Sequence, residues 1–316
     1  MATRARPTGQ HRLSAAEFDV LYRRLAARAD WAGGERGALA ALTPARVLAA
    51  AREVRTGRTV TMAAPVQTDS GPDDPEPARH RMSAWPRQHG EDAGGLHFAR
   101  DRFAMNVHGD ADSHVDALCH VVYEGTLHGG VSADTVTADG ADALSIDTVH
   151  DGIVGRGVLV DVPRLRGVPW LEPGEHVTAD DLGAAESAQG VQVRGGDLLF
   201  VRVGHRRRRD ELGAWQAAGA RAGLHPSALE FLADRRVAVL GSDGNNDTAP
   251  SCAEDVGYPV HVLAIHAMGL LLLDYLQFED QAPVCAARER WSFLCVVAPL
   301  RLPNATGSPV NPIAVL

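Results

Sequence analysis

Apolar positions along the chain recur at two different periods. Near the start, Phe18, Leu21 and Leu25 fall at helical spacing. Ser14-Ala15-Ala16-Glu17, just before them, has the form of a capping box, in which hydroxyl and carboxylate satisfy the first free N–H groups reciprocally. A second helix is expected from Thr43-Pro44, with threonine as N-cap and proline in the first turn. Its apolar face would run through Val47, Leu48, Ala51 and Val54, with Gly57 ending it. Farther on the pattern changes. Residues 156–162 (RGVLVDV), 197–203 (DLLFVRV) and 237–240 (VAVL) are apolar and β-branched and predict strands. Residues 227–235 predict a helix that ends in basic side chains, as its dipole prefers. Residues 71–81 (GPDDPEPARHR) read as a polar loop, the best candidate for a mobile segment. Residues 243–247 (DGNND) form a turn directly after a strand, and the Pro/Gly-rich stretch after Pro303 reads as a surface arm or a dimer contact. Strands mixed with helices predict an α/β or α+β domain.

The most informative pattern is polar. Residues 108–120 read HGDADSHVDALCH. On a strand, alternate residues share a face, so His108, Asp110, Asp112, His114 and Asp116 would form one row, with His120 folding back toward it. Imidazole nitrogens and carboxylate oxygens in such number suit Zn²⁺, Mn²⁺ or Fe²⁺. The bland alternative is a solvated strand face. Against it, Val115, Ala117, Leu118, Val121 and Val122 interleave with the polar residues, which predicts partial burial.

Composition narrows the field. The 316 residues are 45% hydrophobic and 22% charged, with a formal net charge of −9, so no basic footprint suggests nucleic acid. The run Arg206 to Arg209 reads as a solvated helix face, with a phosphate or partner patch as the alternative. All the basic side chains are arginine, which excludes Schiff-base chemistry on a lysine. Cys119, Cys252, Cys285 and Cys295 form no CxxC pair. The opening residues lack a signal-peptide core, and the longest apolar run, residues 260–276, is broken by His261, His266 and Asp274. A soluble cytoplasmic protein with free thiols and no membrane partner is the expectation.

The segment Ser113-His114-Val115-Asp116-Ala117-Leu118-Cys119-His120 resembles the HxGTHxDxPxH signature of the metal-dependent cyclase family, which includes kynurenine formamidase and isatin hydrolase. The resemblance extends, in order, through residues 30–44, GRGVLVDV, GDLLFVRVGHR, LADRRVAVLGSDGNND, Pro259-Val260-His261, Met268-Gly269 and Asp274. It implies a swivelling β/β/α fold, a mixed sheet with outer helices, over a single domain of residues 1–316, the first sixty or so being a helical extension. It also implies a metal set of Asp110, His114, Asp116, His261 and Asp274 for Zn²⁺ or Mn²⁺, with His120 as proton shuttle. Ser113 stands for the family's threonine, Leu118 for its proline, Asp110 for a histidine and Asp274 for a glutamate. The expected site is therefore rich in oxygen donors, which favours Mn²⁺ relative to Zn²⁺.

The activity so implied is hydrolysis of an amide or lactam C–N bond, or of a related ester or lactone. Alternatives are a cyclase or lyase acting on a polyketide-like intermediate, and a non-catalytic binding protein, against which His120 speaks. A small-molecule substrate and a homodimer or larger assembly are expected. Around the core set, His266 reads as a packed core histidine that could replace His261, and Asp243 as a turn cap or substrate contact. His128 and Tyr123 are candidates for pocket lining, and Trp31 and Trp85 for substrate stacking.

Overall fold

The computed structural model describes residues 12–30, 32–85 and 96–316, and nine of its strands form one mixed sheet. In chain order these are β1 (Thr59–Thr61), β2 (His114–Asp116), β3 (Ile153–Asp161), β4 (Leu198–Arg202), β5 (Val239–Ser242), β6 (Leu271–Asp274), β7 (Ser292–Val297), β8 (Gly307–Pro309) and β9 (Ile313–Val315). Across the sheet they run β1-β9-β7-β3-β4-β5-β6-β2-β8. The central four, β3 to β6, are parallel, and the flanking pairs are antiparallel. Parallel neighbours need crossover connections, and helices occupy them. Residues Ala179–Ala188 lie between β3 and β4, His205–Leu212 and Ala228–Arg235 between β4 and β5, and a π-helical stretch, Val262–Ala267, between β5 and β6. This is the α/β architecture expected.

The parallel strands β4 to β6 are buried at every position and mostly apolar, as strands covered on both faces require. Phe200 on β4 stacks on Phe293 of β7 at 6.1 Å and meets Phe278 edge-on at 5.9 Å. Burying one such ring contributes about 1.5–3 kcal/mol.

The first helix, α1 (Ala15–Arg28), has the capping box and the buried face Phe18, Leu21 and Leu25. It packs on the π-helical stretch, where the Tyr22 hydroxyl meets His266 Nδ1 at 2.8 Å. The second, α2 (Pro44–Ala51), is capped by Thr43 but ends earlier than its pattern predicts, and its buried residue is Ala50 rather than Leu48, which is 67% exposed. Two turns resting against β3 offer room for a small side chain at the contact, so the larger leucine turns outward. Between these helices, Gly37 adopts φ +51 and touches Gly269; a Cβ there would stand 2.2 Å from the Gly269 carbonyl oxygen. Only glycine permits this approach, which ties the amino-terminal segment to the turn leading into β6.

Four expectations are corrected. Strand geometry in the ligand-rich stretch covers only His114–Asp116; residues 108–113 form turns, so no single alternating row exists. The stretch after Pro303 is no surface arm: β8 pairs with β2, β9 pairs with β7 and β1, and Leu316 is buried. The arginine run is a solvated face only at Arg207, which is exposed. Arg206 is buried, Arg209 pairs with Asp73 at 2.5 Å, Arg207 with Glu211, and Arg208 with Glu172. The same Asp73 contact anchors the loop expected to be mobile, where Asp73 and Asp74 are both buried.

All four cysteines are free, and burial pushes the Cys119 thiol up to about 11, so it serves as a small apolar side chain. Among the described residues no helix is long and apolar enough to cross a membrane. Trp31 and the opening residues lie outside the described part of the chain; Trp85 is exposed and apart from the pocket described next.

Candidate metal centre

At the carboxyl ends of β5 and β6, where open α/β sheets place their ligands, a cavity of about 500 Å³ opens beside β2. It is lined by His108, Asp110, His114, Asp116, His120, His261 and Asp274 among others. Thus every residue of the expected set reaches one pocket.

The strands set the geometry. β2 lies antiparallel between β6 and β8, and its register puts Asp274 opposite His114 and Leu272 opposite Asp116. His114 and Asp116, two apart, point to the same face. β6 ends at Asp274 because Tyr275 turns into the left-handed region at φ +53, uncommon for a bulky residue. Its carbonyl is held there by Ser113 Oγ at 2.7 Å and by the Arg206 guanidinium at 2.9 Å. The same guanidinium donates to the Ala111 carbonyl, so one buried arginine ties together the two segments that carry the carboxylates.

Ligand atoms of four residues converge. His261 Nε2 lies 3.5 Å from Asp116 Oδ2 and 3.4 Å from Asp274 Oδ2, and His114 Nε2 lies 3.6 Å from Asp116 Oδ1. Each separation is of the size found between two donors on one ion with bonds of about 2.1 Å, the length of zinc to nitrogen. Asp116 Oδ2 is buried and has no hydrogen-bond partner, a state that costs free energy unless something positive satisfies it. The far ring nitrogens are already committed. His114 Nδ1 donates to the Asp112 carbonyl at 2.8 Å, and His261 Nδ1 donates to Asp247 Oδ2 at 2.6 Å. Both imidazoles therefore aim the Nε2 lone pair inward, as metal ligands do. A divalent cation fits this donor set.

The electrostatics agree. Burial would lower His261, but Asp274, Asp116 and Asp247 together hold it well above the ordinary histidine value. Burial would raise Asp116, but His120, His108, His261 and His114 hold it well below the carboxylate range. The pocket thus favours positive charge at this point. His120 behaves oppositely: burial lowers it to about 4, although Asp116 pulls the other way. It is a neutral base at neutral pH.

His120 stacks on His108 at 3.8 Å, with the rings 11° from parallel. His108 reaches Asp116 Oδ1 at 2.8 Å through Nδ1 and Thr306 Oγ1 at 2.9 Å through Nε2. His114, Asp116 and Asp274 form one group with ligand spacing, beside which His261 stands, and His108, Asp116 and His120 form a second that shares Asp116. Asp110 lies in the pocket, but its Oδ1 accepts the Tyr275 hydroxyl at 2.6 Å, and it stands outside both groups.

Sequence reasoning missed several members. Asp247, read only as part of a turn, accepts His261 Nδ1 and the backbone N–H groups of Val260 and His261. Asn245 Nδ2 donates to Asp274 Oδ2 at 2.7 Å, and Asn246 Nδ2 donates to Oδ1. His108, part of the alternating row read from the sequence, lies two positions before the motif register and so outside the metal set that the resemblance implied. The signal for the asparagines was their place just after a strand, in a loop rich in side chains that bond backbone and neighbours alike. His266 is bonded by Tyr22 and by Thr126 and faces away, so it is a packed core histidine. His128 donates to the His266 carbonyl and lies outside the pocket lining, which Tyr123 joins. Asp243 accepts from Val203 N and Gly204 N and is likewise outside it.

Fold and donor set together define an α/β protein built around a divalent-metal pocket. The Cyclase family profile matches residues 38–246, and the chain belongs to that family. Among solved structures, it is similar to a novel cyclase at 29% identity and a TM-score of 0.80, covering 90% of this chain and 94% of that one. Isatin hydrolase A from Labrenzia aggregata, bound to benzyl benzoate, shares the fold at 21% identity and a TM-score of 0.59, over 81% and 93% of the two chains. Isatin hydrolase A from Ralstonia solanacearum does so at 23% and 0.55, over 86% and 97%. Among curated proteins none matches the chain.

Proposed function

We propose that this protein is a metal-dependent hydrolase that cleaves the C–N bond of an amide or lactam, or the C–O bond of a related ester or lactone. The observation that carries the reading is the buried, unpartnered Asp116 Oδ2 with His114, His261 and Asp274 at ligand spacing around it, and the neutral His120 beside it. His114, Asp116, His261 and Asp274 would hold the ion. Bound there, a divalent cation polarises a carbonyl and makes water acidic enough to act near neutral pH.

The chain's own residues do the rest. His120 accepts the proton of the attacking water as the new C–O bond forms, and returns it to the departing nitrogen as the C–N bond breaks. Asp247 fixes the tautomer of His261, and Asn245 and Asn246 orient Asp274. Val121, Val122, Val256 and Val262 also line the cavity and offer an apolar surface for the body of the substrate. An assembly of two or more chains belongs to the same reading: the ribbon Arg79–Ala84 with Arg100–Ala104 leaves Met82 and Phe103 exposed.

The test is incubation with isatin, formanilide and a simple lactone in the presence of Mn²⁺ or Zn²⁺. Gain of one water by a substrate, lost on chelation, is the expected result. Turnover without uptake of water would overturn hydrolysis in favour of cyclisation or lyase chemistry.

A further inference from the structure

The charge lining of the pocket is one-sided. Asp110, Asp116, Asp255 and Asp274 bring four carboxyl groups to it, whereas no arginine lines it among the described residues and the chain has no lysine. Two arginines lie behind the wall, and neither is among the residues that line the cavity. Arg221 is buried with its guanidinium 5.3 Å behind the Tyr258 ring, and it donates to the carbonyls of Asp247, Ala217 and Ala218. Arg206 donates to the carbonyls of Ala111 and Tyr275. The hydrogen bonds of both go to backbone carbonyls.

Asp255 stands at the rim. It is exposed, adopts φ +58, and its carboxylate has neither hydrogen bond nor ion pair among the described residues. It flanks the apolar wall of Val121, Val122, Val256 and Tyr258. Even two divalent cations at the inner end would no more than offset four carboxylates, so the pocket holds no surplus positive charge. A substrate carboxylate placed here would leave water without a partner and face Asp255 or Asp110 instead.

We infer that the site selects substrates that carry no carboxylate: a carbonyl compound with an apolar body, uncharged or bearing an ammonium group that meets Asp255. This rests on the reading above that the pocket binds a carbonyl substrate. It narrows that reading to neutral or cationic amides, lactams and esters.

The experiment compares three matched ligands by titration calorimetry on the full chain with Mn²⁺ present: formanilide, its 4-carboxy derivative and its 4-aminomethyl derivative. Release of the aniline is followed separately. The neutral and ammonium compounds should bind, and the carboxylate should bind about tenfold more weakly or worse. Asp255→Asn tolerates the same backbone conformation and should weaken the ammonium compound several-fold while leaving formanilide unchanged. Carboxylate affinity equal to that of formanilide, or binding by none of the three, overturns the inference. An ammonium affinity untouched by Asp255→Asn removes Asp255 from it. Binding in the expected order without release of aniline overturns the hydrolase reading and leaves the ligand class standing.

Discussion

His114 and Asp274 are register partners on the antiparallel ladder between β2 and β6, so the backbone positions of two prospective ligands from segments far apart in sequence are set by one ladder. Side-chain contacts only finish what the ladder begins. Asp116 shares that ladder, paired with Leu272 and Gly307, whereas His120 and His261 lie outside it and depend more on neighbours that substitution can remove.

Asp247 is the clearest of those neighbours. Asp247→Ala frees His261 Nδ1 and the amides of Val260 and His261. Metal affinity should fall on the order of 10–100-fold, as it does when such partners are lost. Competition with a chromophoric chelator measures it; unchanged affinity in a folded variant would show that His261 needs no orienting carboxylate.

His120→Ala should separate chemistry from binding. If the ring serves as base, the variant keeps most of the metal and loses about 10²–10⁴ in rate. Loss of metal together with rate, read by elemental analysis, would instead place His120 in the second ligand group with His108 and Asp116.

Arg206 is buried and bonds two backbone carbonyls on either side of the carboxylates. Arg206→Leu strands both acceptors and should cost about 2–4 kcal/mol of stability, with weaker metal binding because residues 111 and 275 are no longer tied. Urea unfolding with and without Mn²⁺ reads the two effects.

His205 gives the stability a pH dependence. Burial, and then Arg206, Arg209, Arg221 and Arg208, hold it well below the ordinary histidine value. Below about pH 6.5 the unfolded chain takes up the proton and the folded one does not. The unfolded state then binds more protons, so stability rises with pH through this window and falls as the solution is acidified. The thermal midpoint should drop from pH 7 to pH 5, and His205→Gln should flatten that slope; an equal slope in the variant would assign it to other groups.

A homodimer or larger assembly is the last expectation. Light scattering at micromolar protein should return at least twice the chain mass, and a monomer mass would contradict it.

The sequence carried the fold where local rules decide it. The capping box at Ser14, Thr43-Pro44 and the apolar runs at residues 156–162 and 197–203 act through neighbours a few positions away, and all sit in their predicted elements. It failed where distant chain decides. The stretch after Pro303 looks like an arm because its apolar content is low, yet β2 and β7 recruit it by backbone hydrogen bonding that shows in no periodicity. Arg206 looks solvated because arginine usually is; two carbonyls from remote loops bury it. Among the site residues, His114, Asp116 and His120 were legible from one short motif. Asp247 was hidden, because a carboxylate that orients a histidine through Nδ1 has no fixed spacing from it.

The pairing of β2 with β6 and β8 has a consequence for the life of the chain on the ribosome. When residues 114–116 emerge, neither neighbouring strand exists, and the partner of His114 is still to be translated. Contacts of such sequence separation form late. On the proposed reading, the nascent protein would be unable to capture an ion here during most of its synthesis, and metal loading would be an event of the folded molecule, set by whatever cations meet it after release.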